Sequence, residues 1–184
     1  MKVFALANYY IWDYNGEAMA TFNQILNAIQ LIGLFPIVGG TIVLGALVAP
    51  ITHKILVKKD FSKLMTKMFA QFHDWLKISA SVLLAGKLVQ LIFVDKFNFF
   101  VKSVVDGKQV DLLNFGLILT FLLVIAIAAI SYHLAFKTTP QILLAYDSKS
   151  EKQSTVFNKL HKESELLNRV NFLLAFLLLL SFAV

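Results

Sequence analysis

The sequence predicts an all-α fold, an integral membrane four-helix bundle, and three observations carry that reading. The run from Ala18 to Thr52 holds no charged side chain. Within it, Leu31–Pro50 supplies about 20 residues, enough at the α-helical rise to match a hydrocarbon core of roughly 30 Å. Composition points the same way. Of 184 residues, 58% are hydrophobic and 15% charged, against about a quarter charged in a soluble domain. Finally, apolar runs recur along the chain. The expected membrane helices are 24–50, 75–94, 112–136 and 167–184, in a single domain covering 1–184.

Each element has its own justification. Tyr9, Tyr10, Trp12 and Tyr14 read as an interfacial aromatic belt. They do not read as a signal peptide, because the apolar stretch is short, carries Asp13 and lacks a small-residue cleavage site. Helix one starts near Thr21 behind a polar lead of Asn23, Gln24, Asn27 and Gln30, and ends around Pro50. Pro36 invites a kink inside it. Gly39, Gly40 and Gly45 leave a smooth face that suits either close helix packing or contact with a pore or ligand.

The segment after Pro50 is amphipathic. Asp60 is a candidate N-cap, and Phe61, Leu64, Met65, Met68, Phe69 and Phe72 recur at helical spacing. This segment either lies on the membrane or extends helix two beyond it. Its methionines serve as packing or as soft copper ligands. Helix two carries Lys87 near its middle. The sequence VVDGKQV reads as a small turn outside the bilayer. Helix three, Leu112–Phe136, is uncharged, and Thr138-Thr139-Pro140 ends it. The last apolar run is short, so helix four begins before Val170, with Arg169 snorkelling to the interface.

Charge sets the expected orientation. Lys54, Lys58, Lys59, Lys63, Lys67 and Lys77 follow helix one. Lys137, Lys149, Lys152, Lys159, Lys162 and Arg169 follow helix three. The other side holds only Lys2, Lys96, Lys102 and Lys108. The positive-inside rule then places both basic connections in the cytoplasm and both termini outside, with helices two and four extended on the cytoplasmic side. The lipid bilayer of the cell (inner or plasma) membrane is the first expected partner. A net charge of +6 is absorbed by this pattern and implies no nucleic-acid binding. The absence of cysteine removes disulfides and thiolate ligands. There is no phosphate loop or nucleophile elbow, and the paired carboxylates Glu163 and Glu165 read as a solvated helix face.

Two constellations remain. His53, His73, His133 and His161 all fall on the basic side, one near the end of each helix. Imidazoles brought together there would suit a transition metal such as copper, or haem, with Asp74, Glu163 and Glu165 as nearby oxygen donors. The alternative is four separate interfacial histidines. Lys87, with Gln90 and Gln30, marks an intramembrane polar site, since a central Lys costs roughly 2.5–3.5 kcal/mol on insertion scales. Counting back from Pro50 sets Lys87 beside Val38 and Gly39. The alternative is that it snorkels to the outer interface.

IVGGTIVLGALVAPITHKIL, DFSKLMTKMFAQFHDW and FNKLHKESELLN resemble an uncharacterised four-helix membrane family, the transmembrane protein two-hundred-and-five type, from about Leu31 to the C-terminus. That family looks distantly related to the CopD-like group, which includes copper-resistance proteins and a haem-dependent oxidase. The resemblance implies four spans and a metal or haem cofactor. Those relatives place a histidine in the first membrane helix, where this chain has Gln30. The expected function is binding or transport of a transition metal or small ligand at the histidines. The alternatives are an accessory subunit acting as a homo-oligomer or with a membrane partner, and a haem-linked oxidoreductase.

Overall fold

The computed structural model describes residues 2–95, 110–147 and 151–182, and the regular structure among them is helical, with no strand. Lipid offers no partner to an unpaired backbone group, and a helix pairs them all within one segment. Helix α1 runs Lys2–Ile42, widens into a π-helical stretch at Val43–Val48, and passes into α2, Ala49–Ile55. Leu56 and Val57 are extended, with ψ of 145° and 147°, and turn the chain back. Helix α3 spans Lys58–Val89 and ends in a π-helical stretch, Gln90–Asp95. Helix α4, Val110–His133, continues through a further π-helical stretch, Leu134–Thr138, into α5, Thr139–Asp147; α6 spans Glu151–Leu180.

The first helix therefore begins at Lys2, well before Thr21, and neither expected proline break occurs. Pro50 and Pro140 are each the second residue of a helix that follows a π-helical stretch. Proline lacks an N–H, and its ring crowds the carbonyl four residues back. Widening the turn just ahead of the ring reroutes the hydrogen bonds: the Ala49 N–H donates to Leu44 O, and the Thr139 N–H to Leu134 O, five residues back. The helix passes the proline instead of stopping.

Asp60 is not the cap of α3. Val57 holds that position, its carbonyl accepting from the Asp60 and Phe61 N–H groups at 3.0 and 2.9 Å. Asp60 sits in the first turn, where its charge complements the helix dipole. The Met and Phe stripe lies on the first half of α3, so it extends the second long helix and is no separate surface element. The turn expected at 104–109 lies outside the described residues.

Three helical segments, Glu17–Ile55, Lys58–Phe93 and Ile118–Tyr146, are long and apolar enough to cross a membrane. The fourth expected span falls on the last part of α6. Contacts run α1 to α3, α3 to α4, α4 to α6, and α6 back to α1, so the long helices enclose a common core. Leu34 and Ile37 meet Phe72, Leu76 and Leu83 there, with Val124, Ile127, Leu134, Ala175 and Leu178. The outward face is equally apolar: Phe35 is 76% exposed and Ile32 68%. Such a surface suits lipid.

The α1–α3 pair approaches closely at small residues. A Cβ built on Gly33 would stand 3.1 Å from Ser79 O and 3.2 Å from Leu83 N, both backbone. One on Gly86 would meet the Gln30 side chain at 3.1 Å, and one on Gly40 the Phe72 ring at 2.5 Å. Of the three glycines singled out above, Gly40 lies against another helix. Gly39 faces only Phe35 of its own helix, and a Cβ on Gly45 meets nothing within 4 Å. Gly33→Leu is expected to destabilise the detergent-solubilised protein by about 1–3 kcal/mol through overpacking. Gly45→Ala should leave the thermal midpoint unchanged or slightly raised, since Ala is the better helix former.

Candidate functional site

Two polar sites are buried between these helices, about 21 Å apart along α3 by helical rise. The first gathers Lys87, Gln90 and Gln30, all buried. Gln90 is its hub. Its Oε1 accepts from Gln30 Nε2 at 3.1 Å and from Lys87 Nζ at 3.0 Å. Its Nε2 donates to Asn23 Oδ1 at 2.7 Å and Asn27 Oδ1 at 3.1 Å. The polar lead of the first helix is thus the partner surface of Gln90. Lys87 is 7% exposed and points inward instead of snorkelling.

Lys87 does not sit beside Val38 and Gly39. Its level on α1 is Ile29 and Gln30, the residues that Gly86 touches. An antiparallel register is counted from the turn, and the turn lies at Leu56–Val57, beyond Pro50, because the helix survives the proline. The pairs Gly40 with Phe72 and Gly33 with Ser79 follow the same count.

The second site is a cavity of about 1030 Å³ at the basic end of the long helices. Its walls come from the end of α1, α2, the first half of α3, α5 and α6. On α3 the lining runs from Lys58 to His73, about 22 Å of helix. Apolar side chains dominate, including Phe61, Met65, Phe69 and Phe72, part of the predicted stripe. The cavity is therefore an elongated slot parallel to the helix axes.

His53, His73 and His161 line it, whereas His133 does not. His133 instead lies 3.5 Å from Glu163. His73 is 1% exposed at the inner end of the slot. Its Nδ1 is 2.6 Å from Thr139 Oγ1, which donates to Leu134 O at 2.8 Å. A hydroxyl has one proton, so Nδ1–H is the donor to Thr139 and Nε2 accepts from Asn168 Nδ2 at 3.0 Å. The imidazole is neutral with both nitrogens engaged. Asn168 Oδ1 is buried without a partner.

His53 is exposed at the slot's outer part, and His161, also exposed, stands farther in beside Phe69. His53 lies edge-on to Phe61 at 5.0 Å, and His161 stacks on Phe157 at 5.9 Å between centroids. Neither is hydrogen-bonded among the described residues. No group of three His, Asp or Glu among the described residues is placed to hold a metal ion. His73 has no free nitrogen to offer, so the residues present do not fit a multi-histidine metal centre.

Thr139, Ser164 and Asn168 complete the polar inner wall, and the sequence reading passed over them. Ser164, Asn168 and Asn171 share one face of α6 at spacings of four and three, and all are buried. Asn171 Nδ2 donates to Ser131 Oγ at 3.0 Å. Asparagines within an apolar helix are the signal that marks such a face. Thr139 carried none, because it read as part of a break.

The arrangement defines an all-helical chain of membrane-protein character with a deep, apolar-walled slot. No known protein family, no characterised protein and no solved structure matches it.

Gln90→Leu is expected to leave Lys87, Asn23 and Asn27 without their common partner and to destabilise by about 1–3 kcal/mol. Chemical denaturation in mixed micelles would measure the loss. A double-mutant cycle on His73→Ala and Asn168→Ala should give a coupling of about 0.5–3 kcal/mol. The same cycle on His53→Ala and His161→Ala should give none.

Proposed function

We propose that this chain is a four-helix integral membrane protein, with both termini opposite the basic connections, that binds a membrane-soluble small molecule in the slot. The single observation that carries the reading is the cavity of about 1030 Å³ set among helices of spanning length. Ligand sites are concave and mostly apolar, with a few fixed polar groups, and run to about 1,000 Å³. Aromatic and aliphatic walls with a buried polar end meet that description. The three-in-place histidines contribute shape and polarity to it; the metal-centre reading is not favoured, because His73 is saturated by Thr139 and Asn168.

The test is photolabelling in vesicles with an uncharged long-chain alcohol bearing a diazirine. Peptide mass spectrometry is expected to find adducts at Phe61, Met65 or Phe69 as well as at lipid-facing Phe35. Gly45→Trp, which projects an indole into open space, should abolish the slot adducts and spare Phe35. Labels confined to outward residues, or slot labels that survive Gly45→Trp, would exclude the reading. Elemental analysis of the purified protein is expected to find no stoichiometric transition metal.

A further inference from the structure

The slot has an open side. Helix α1 packs against α6, yet neither the π-helical stretch Val43–Val48 nor α2 makes contact with α5 or α6. Those two segments contain no buried residue. Of their slot-lining positions Gly45, Ala46 and Ala49 are small, and His53 is the one large side chain they place there. The opposite lip is Glu165, Arg169 and Phe172 of α6. One bank of the gap, Val43–Ile55, belongs to a segment long and apolar enough to cross a membrane, and Val43, Leu47, Ile51 and Ile55 on it are exposed apolar side chains.

Charge is distributed unevenly along the slot. At its outer end Lys58 lines the wall and is in no salt bridge among the described residues, while the one lining carboxylate, Glu165, is already paired with Arg169. His53 flanks the same end, edge-on to Phe61, whereas His161 stands farther in, 6.5 Å from the Phe69 ring; neither ring is hydrogen-bonded among the described residues. Lys54, Lys59 and Lys162 are exposed nearby in sequence. Asp60 is the acidic group near that end in sequence; Glu163 faces His133, next to Leu134, whose carbonyl holds Thr139 at the inner end. Running inward, the α3 wall carries Phe61, Met65, Phe69 and Phe72 over about 20 Å, the length of an extended acyl chain, while the Glu165–Arg169 pair lies on the α6 side.

Resting on the ligand-binding reading above, we infer that the slot takes one anionic phospholipid from the adjoining leaflet, sideways between Val43–Ile55 and α6. The phosphate meets Lys58 and His53, and an acyl chain lies against Phe61, Phe69 and Phe72. A juxtamembrane cation attracts anionic headgroups, and lateral access needs no water-filled path.

Native mass spectrometry of protein extracted from vesicles of equimolar phosphatidylglycerol and phosphatidylcholine tests this. Wild type is expected to keep one phosphatidylglycerol in preference to phosphatidylcholine by about fivefold. Lys58→Gln, an exposed position that folding tolerates, should keep one lipid but lose most of that preference. Gly45→Trp should retain none. Equal retention of the two lipids by wild type, or a preference indifferent to Lys58→Gln, overturns the inference while slot labelling by the uncharged alcohol leaves the broader reading standing. Filling of the slot in lipid-free protein by water-soluble octyl phosphate, as fully as from vesicles, would overturn lateral entry. Loss of both lipid retention and slot labelling would sink the two together.

Discussion

The contact between α1 and α3 is the constraint on which the remaining architecture depends. Two apolar helices in lipid gain little from hiding apolar surface from each other, since the acyl chains are as apolar as leucine. Their association rests on close packing and on polar groups that would otherwise be stranded. Gly33 and Gly86 supply the first by letting backbone and side chain approach to the limit of contact. Gln90 supplies the second, joining Gln30, Asn23, Asn27 and Lys87 in one amide-centred network. These amide and ammonium groups are tolerated there because each has another in place, although Gln30 Oε1 is buried with no hydrogen-bond partner among the described residues. The pair then fixes where Phe72 and His73 stand, and hence where the slot begins.

The π-helical stretches determine the shape of the other end. They carry the backbone past Pro50 and Pro140 with its hydrogen bonds rerouted and not lost. One consequence is length, because the first helix reaches Ile55 before turning. Another is separation, because that terminal part touches α3 and leaves α5 and α6 apart from it. The slot occupies the space so created. A proline that reads locally as a stop has become the cause of a cavity wall.

Burying His73 would be costly if it were charged or unpaired. Thr139 and Asn168 remove that cost by taking one nitrogen each, and the Thr139 hydroxyl donates its own hydrogen bond to the Leu134 carbonyl. The result is a polar yet neutral inner end, fixed by three elements at once. The outer end has the opposite character, with Lys58 in no salt bridge among the described residues and the exposed His53 imidazole near it. A ligand lying in the slot would meet the Lys58 cation at the outer end and the Glu165–Arg169 pair on the α6 wall.

What the sequence alone determined is the part governed by local composition. Apolar length marked three helical segments long and apolar enough to cross a membrane, and 3.6-residue periodicity brought Phe61, Met65, Phe69 and Phe72 to one face of α3. The grouping of Gln30, Lys87 and Gln90 was also legible, since polar residues inside apolar runs seek each other. Register was not legible, because it is counted from a turn whose position depends on whether a helix survives Pro50. Nor was the meeting of His53, His73 and His161 without His133, or the saturation of His73 by Thr139 and Asn168. Those contacts join residues tens of positions apart, and only the packing of α3 against α5 and α6 decides them.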